Sequence, residues 1–196
     1  LCTDIWHQNL KQFNFTPMLS EELRFPTGRF EKPEKFDSNK VEEWLKTIEE
    51  IPSKIITTAG HLPSEQLGWK YRPEGWNVKQ VVHHLADSHM NCLIRLKLTL
   101  TEDSPIIKPY KENLWAELPD DNEGNLSPSI QILKGVHHKM VKVWSSIEAK
   151  DWTKFYVNPE YNSKFSMYEA LALYAWHCNH HLAHIEQAIL SKGKYN

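Results

Sequence analysis

The stretch W176-H-C-N-H-H-L-A-H-I-E-Q187 carries four histidines within eight positions: His177, His180, His181 and His184. The whole chain of 196 residues has only 11 histidines. Apolar residues recur around this stretch at helical spacing: Leu171, Tyr174, Ala175, Cys178, Leu182, Ile185 and Ile189. The pattern predicts an amphipathic helix, here the fourth and last helix of the chain.

Three further helices are predicted upstream. Residues 38–59 have helical periodicity and Ser38 can cap them, although Pro52 is expected to kink this helix or split it in two. Asn77 can cap a second helix over residues 78–101, and a proline in the first turn favours a third over residues 128–149.

The segments between these helices are polar or rich in turn residues. Ser166, with Glu169 three positions later, forms a capping box for the fourth helix, which is expected to run to about Leu190. Residues 102–127 form a long connection, and residues 151–166 contain short β-like pieces at most. The fold class is therefore an all-α four-helix bundle with a long connection between helices 2 and 3.

The N-terminal part of the chain is treated separately. Residues 23–37 contain two prolines, a glycine and alternating charge, which indicates an extended N-terminal arm. We expect residues 1–22 to be an extension without a role in the chemistry and residues 23–196 to form the bundle domain.

Composition limits the classes of function. A net charge of -2 provides no general attraction to nucleic acid, and no apolar run approaches the roughly 20 residues of a membrane helix, so neither partner is expected. The odd number of cysteines, Cys2, Cys92 and Cys178, indicates no disulfide framework and fits a reducing cytoplasm. Cys92 and Cys178 lie in apolar helical patterns and are expected to be structural.

Two histidines at positions i and i+4 of a helix can hold one metal ion. At about 100° per residue, His177 and His181 lie roughly 120° and 80° from the centre of the apolar stripe. His180 is about 180° away and is expected to face solvent, and His184 is about 140° away, at an edge without an assigned role. His177 and His181 are therefore the better-placed pair.

A third ligand has to come from another helix, and the second helix offers His83, His84 and His89. The helical phase favours His89, which lies in the middle of an apolar stripe where a hydrogen-bonded core histidine is also common. His84 instead begins a polar strip that resembles the lining of a pocket: His84, Ser88, Asn91 and Arg95. Phase alone leaves the choice open.

Several segments resemble the DinB superfamily, and more closely its YfiT-like branch of metal-dependent hydrolases and bacillithiol S-transferases. The resemblance covers residues 23–190 and is carried by these segments: F25-P-T-G-R-F-E-K-P33, W76-N-V-K-Q-V-V-H-H-L-A-D-S-H-M-N91, R95-L-K-L-T-L-T-E102, K108-P-Y110 and Y174-A-W-H-C-N-H-H-L-A-H184. The family motif combines a histidine and an acid on the second helix with HxxxH on the fourth. The resemblance therefore implies His84, His177 and His181 as ligands of one divalent metal ion, zinc or nickel, and a homodimer.

The implied chemistry leaves three hypotheses. The first is a thiol S-transferase that conjugates a low-molecular-weight thiol to a small electrophile, with Arg95 anchoring a carboxylate of the thiol. The second is a hydrolase using a metal-activated water, with Asp87 as base; Asp87 could also orient a ligand imidazole. The third is a metal-binding stress protein without turnover.

Overall fold

Four long helices form the bundle in the computed structural model, which describes residues 21–160 and 162–196. Helix α1 spans Ser38–Ala59, α2 Val78–Thr101, α3 Ser127–Ser145 and α4 Met167–Ser191. Helices α1 and α2 each pack against α3 and α4, so the order around the bundle is α1, α3, α2, α4. The predicted four-helix bundle is confirmed, and most of the expected extension (residues 1–20) lies outside the described residues.

The core is built from aliphatic and aromatic side chains of all four helices. Its largest fully buried members include Ile48, Ile51, Ile55, Leu85, Leu96, Leu133, Met140, Trp144, Leu171 and Ile185. Cys92 and Cys178 are also buried and free, as predicted. None of the described helices has the length and apolarity to cross a bilayer.

The cap predicted for α2 and the capping box predicted for α4 are both present. Asn77 accepts a hydrogen bond from the Gln80 backbone N–H, and Ser166 accepts one from that of Glu169. The cap predicted for α1 is wrong by one residue. Asp37, not Ser38, caps this helix, because its carboxylate accepts from the backbone N–H of residue 39 at 2.9 Å.

Pro52 does not split α1, contrary to one of the two predicted outcomes. Proline lacks the N–H that would bind the carbonyl of Ile48 one turn earlier. The structure gives that carbonyl another partner, since Nδ1 of His137 on α3 lies 2.6 Å from the Ile48 oxygen. The helix therefore continues through Pro52.

The predicted third helix is too long at its C-terminal end, because α3 stops at Ser145 and a short 3-10 turn follows at Ala149–Asp151. Strands β1, Phe155–Asn158, and β2, Ser163–Ser166, then form an antiparallel hairpin and confirm the short β pieces. Two short helical turns, Ser64–Leu67 and Glu112–Trp115, lie in the other connections.

The N-terminal arm begins with a helical piece at residues 21–24 and then runs without regular structure along α4. The Trp176 indole N–H donates to the Gly28 carbonyl at 3.1 Å. The Gln187 amide donates to the carbonyls of Leu23 and Tyr71 at 3.0 and 2.7 Å. The arm therefore covers the face of α4 that points away from the bundle.

Candidate metal centre

The structure brings His84 of α2 together with His177 and His181 of α4. One ring nitrogen from each lies within 4.8 Å of the other two. The Nε2 atoms of His84 and His177 are 3.4 Å apart. Three imidazoles from two helices thus converge on one point beside a cavity.

This spacing fits a tetrahedral metal ion. Zn–N bonds of about 2.0–2.1 Å in a tetrahedron place neighbouring nitrogens about 3.3–3.4 Å apart. The distance between His84 and His177 matches that edge. Three protein ligands would leave a fourth coordination position for water or substrate, as in catalytic rather than structural zinc sites.

The three imidazoles are held in the neutral form that a metal ion requires. Burial, with a smaller contribution from His180, lowers the pKa of His84 to about 4. Burial, followed by the neighbouring imidazoles, moves the pKa values of His177 and His181 well below the usual value. At neutral pH the site presents lone pairs rather than N–H⁺ groups.

The prediction for His180 is wrong, and the phase of His184 did not indicate how deeply it is buried. His180 was expected to face solvent, yet it is buried against Trp176, whose ring centroid lies 4.4 Å away. His184 is also buried, is stacked on Tyr71 at 3.8 Å, and lies 3.1 Å from the Arg24 carbonyl through Nε2. The arm causes both outcomes, because it covers this face of α4.

All three histidines of α2 are buried, but they point to different neighbours. His83 contacts Ser129 and the Glu123 carbonyl, away from the metal ligands. His89 lies behind the site, with Nε2 3.1 Å from Nδ1 of His177 and Nδ1 2.6 Å from Nε2 of His137. Only His84 of the three lines the cavity.

Arg95 lines the same cavity as the three imidazoles. One of its nitrogens donates to the Tyr174 hydroxyl at 3.2 Å. No carboxylate of the described residues forms an ion pair with it. Ser88 also lines the cavity, whereas Asn91, the other member of the predicted strip, bonds back to the backbone carbonyl of Asp87.

Asp87 is not brought to the cavity lining. Its carboxyl lies near the α2–α3 connection, where burial, followed by Asp121 and Asp120, raises its pKa to about 6. No hydrogen bond joins it to any of the three candidate ligands within the described residues.

The cavity has a volume of about 560 Å³ and a mixed aromatic and polar lining. Residues without a predicted site role line it together with the ligands: Arg24, Tyr71, Arg72, Tyr110, Tyr156, Tyr174, His180 and His184. Trp76 and Trp176 line it as well. Five of these ten residues come from loops or the arm, whose positions helical periodicity does not address.

Comparisons with known proteins agree with this geometry. Proteins named "Putative metal-dependent hydrolase" from Bacillus licheniformis and Bacillus cereus are 40% and 42% identical to this chain over 166 and 164 residues. These alignments cover 85% and 84% of this chain, and 94% of each relative. YfiT of Bacillus subtilis, which carries the same name, is 36% identical over 87% of this chain and 96% of its own.

Solved structures give the same result for the fold. The structure of Bacillus subtilis YfiT, described as a probable metal-dependent hydrolase with an unusual four-helix bundle topology, superposes with a TM-score of 0.85. It is 35% identical and covers 88% of this chain and 98% of that one. A mycothiol-dependent maleylpyruvate isomerase, 14% identical with a TM-score of 0.57 over 74% of this chain and 60% of its own, shares the fold alone.

The family assignment rests on the whole bundle and not on the histidines alone. The family model of the DinB superfamily matches residues 47–185, which include all four helices for most or all of their length. The curated relatives extend the match over more than four fifths of the chain. With a histidine-rich candidate metal site at the expected place, this chain belongs to the DinB superfamily, among the relatives of YfiT.

Proposed function

We propose that this protein is a metal-dependent S-transferase, which joins a low-molecular-weight thiol bearing an anionic group to a small electrophile. The observation that carries the proposal is the Arg95 guanidinium, which has no ion-pair partner among the described residues and lies in the same cavity as three neutral imidazoles. The curated relatives support a metal-dependent enzyme at the coarser level.

Arg95 is suited to hold an anionic group of the thiol. A guanidinium has five N–H donors in a fixed fork, and the structure uses one nitrogen, toward the Tyr174 hydroxyl. The remaining donors can form a bidentate pair with a carboxylate. Arg95 follows His84 by eleven positions on α2, so their backbones lie about three helical turns apart. The guanidinium reaches back toward the imidazoles, because Tyr174, whose hydroxyl it contacts, has its ring 6.0 Å from that of His177.

At the three imidazoles a thiol would be activated more readily than water, although the carboxylates of Glu74, Glu112 and Glu160 line the cavity. A divalent metal held by His84, His177 and His181 would act as a Lewis acid and lower the pKa of a coordinated thiol. A thiol starts near pKa 8.5, so it needs no protein base to ionise at neutral pH under that influence. The carboxylate that hydrolysis was expected to use, Asp87, lies outside the cavity lining.

In the proposed reaction the thiol loses its proton to solvent and its sulfur attacks the electrophilic carbon. A C–S bond forms, and the bond from carbon to the leaving group breaks, with the electron pair leaving on that group. The ring walls of Tyr110, Trp76 and Trp176 give the electrophile an apolar surface. The cavity of about 560 Å³ is large enough for both small molecules.

Zinc-loaded protein should be assayed with monochlorobimane and two thiols of equal length, 3-mercaptopropionate and 3-mercaptopropanol. We expect faster conjugation of the carboxylate thiol, and Arg95→Gln should reduce this preference by about tenfold, since a charge-assisted hydrogen bond contributes roughly 1.5–3 kcal/mol. Lys97→Gln is the matched control, because Lys97 is an exposed cation on the same helix. Equal rates for both thiols in the unaltered protein would refute the anionic-thiol proposal.

The second candidate, a metal-dependent hydrolase, is favoured by the names of the relatives. Cleavage of ester or amide substrates without thiol consumption would establish it in place of the transferase. If neither reaction occurs in protein that holds stoichiometric metal, the third hypothesis remains, a metal-binding protein without turnover. The homodimer stays a prediction, which light scattering of the purified chain would test.

A further inference from the structure

Histidines beyond the three candidate ligands surround the site, and their contacts are ordered. Of the described histidines, four contact a ligand directly or through one other ring: His89, His137, His180 and His184. Three of these four are hydrogen-bonded in series toward a ligand, and each series starts at a main-chain carbonyl.

We propose that these histidines form two relays, which fix the tautomers and ring orientations of His177 and His181 for metal binding. The first relay runs from the Ile48 carbonyl through His137 and His89 to His177. The second runs from the Arg24 carbonyl through His184 to His181. This inference rests on His177 and His181 being ligands, and it is independent of the thiol reaction.

The direction of the first relay follows from its starting atom. A carbonyl oxygen only accepts, so Nδ1 of His137, 2.6 Å from the Ile48 oxygen, must carry the hydrogen. In a neutral ring Nε2 is then the acceptor, and Nδ1 of His89 donates to it at 2.6 Å. Nε2 of His89 in turn accepts from Nδ1 of His177 at 3.1 Å. The remaining lone pair of His177 is on Nε2, the atom that faces His84.

The second relay reaches the same result with one ring fewer. Nε2 of His184 donates to the Arg24 carbonyl at 3.1 Å, which leaves its Nδ1 as an acceptor. Nδ1 of His181 lies 3.4 Å from that atom and donates to it. His181 then offers Nε2 to the metal. Tyr71 supports this relay, since its ring is stacked on His184 with an interplanar angle of 14°.

The two starting carbonyls are available for structural reasons. Pro52 has no N–H, so the helix leaves the Ile48 oxygen without its usual partner and His137 takes it. Arg24 belongs to the arm, which the Gln187 amide holds in place through the Leu23 carbonyl. Metal-ligating histidines commonly donate their second N–H to a carboxylate, carbonyl or water. Here imidazoles take that place and keep the supporting groups uncharged.

The tautomers can be read directly in metal-free protein with ¹⁵N-labelled histidine, by two-bond ¹H–¹⁵N correlation at pH 7.5. We expect the Nδ1–H form for His137, His89, His177 and His181, and the Nε2–H form for His184. The opposite form at His137, His89 or His184 would overturn the corresponding relay. This measurement needs neither a substitution nor a reaction, so failure of the thiol assay leaves it unaffected.

Substitutions test whether the relays support metal binding. His137→Leu removes a ring that contacts no ligand directly, and zinc affinity, measured by chelator competition, should fall by about 10–100-fold. His137→Gln should recover part of the loss, because an amide can both donate and accept. His83→Leu is the matched control and should stay within about twofold, since His83 is a buried α2 histidine outside both relays.

The second relay is tested in the same way with His184→Leu and His184→Gln. An unchanged zinc affinity in both leucine variants would overturn the proposal. If a leucine variant does not fold, the tautomers of the unaltered protein still decide.

Discussion

Metal-free protein should lose stability steeply as the pH falls from 6.5 to 5, because many of its histidines are buried in the neutral form. Burial is the largest cause that lowers the pKa of His84, His137 and His180 to about 4, against 6.5 for an ordinary histidine. Between these two values the unfolded chain binds more protons than the folded protein. The free energy of unfolding therefore rises with pH in this window and falls on acidification.

The magnitude follows from the size of the shifts. A pH of 5 is 1.5 units below the pKa of an ordinary histidine. Each ring that stays neutral in the folded protein therefore lowers the free energy of unfolding by about 2 kcal/mol at this pH. His84, His137 and His180 together account for about 6 kcal/mol. Burial also lowers the pKa of His184 to about 3 and moves the pKa values of His89, His177 and His181 well below that of an ordinary histidine.

Two carboxyls act in the opposite direction. Burial is the largest cause that raises the pKa of Asp87 and of Asp121 to about 6, so the folded protein binds their protons first. Each offsets about 1 kcal/mol at pH 5. The histidines outweigh them, and the remaining loss is comparable with the about 5–15 kcal/mol that stabilises a typical domain.

Urea unfolding of metal-free protein, followed by tryptophan fluorescence from pH 8 to pH 5, measures this loss. His180→Leu removes one of the protons that the chain takes up on unfolding. The slope of the free energy of unfolding against pH should therefore fall by about 1.4 kcal/mol per pH unit below pH 6. His138→Leu is the control, because His138 is the exposed neighbour of a buried histidine on α3. An unfolding free energy that is equal at pH 7 and pH 5 would refute the reasoning.

Three other outcomes are expected. His181→Ala should remove stoichiometric zinc by elemental analysis, whereas His83→Ala should keep it; retention of zinc in the former would contradict the ligand assignment. Tyr174→Phe should raise KM for 3-mercaptopropionate with little change in kcat, because the Arg95 guanidinium loses its supporting hydroxyl. Burial raises the pKa of the Cys92 and Cys178 thiols, so in a Cys2→Ser background both should react with Ellman's reagent only on unfolding; fast labelling of the native protein would show that the interior is accessible.

Sequence patterns were most reliable where they reflect local backbone chemistry. Asn77 and Ser166 were identified as caps from residue type and spacing, and both begin their helices in the structure. The end of α3 was predicted four residues too late, because nothing in the periodicity marks the end of the helix at Ser145 or the 3-10 turn that begins at Ala149. Helix ends without a cap signal depend on what packs around them.

Helical phase placed the pair His177 and His181 beside the cavity but failed for His180 and His184. A helical wheel assumes one buried face, directed at the core of the bundle. Here the arm buries a second face of α4, with the Phe25 ring 5.9 Å from that of His180. The sequence of the arm indicates that it is extended but does not indicate which helix it covers.

Phase also could not choose among the histidines of α2. His89 lies in the apolar stripe and is fully buried, as its phase indicates, but it contacts His177 rather than the cavity. The resemblance favoured His84, and the structure places that residue at the cavity wall. The distinction depends on the partner helices, since His89 faces His137 across the bundle and a single helix contains no information about that contact.

Pro52 and the buried histidines together explain how a stable bundle can hold so many polar rings. A proline inside a helix leaves one carbonyl unpaired, and a buried imidazole needs a partner, so each is unfavourable alone. Placed opposite each other, Pro52 on α1 and His137 on α3 resolve both problems through one hydrogen bond. The remaining strain lies at the ligands, whose lone pairs converge with only 3.4 Å between His84 and His177. A bound metal would take up these lone pairs, and by binding the folded protein more tightly than the unfolded chain it would raise the free energy of unfolding.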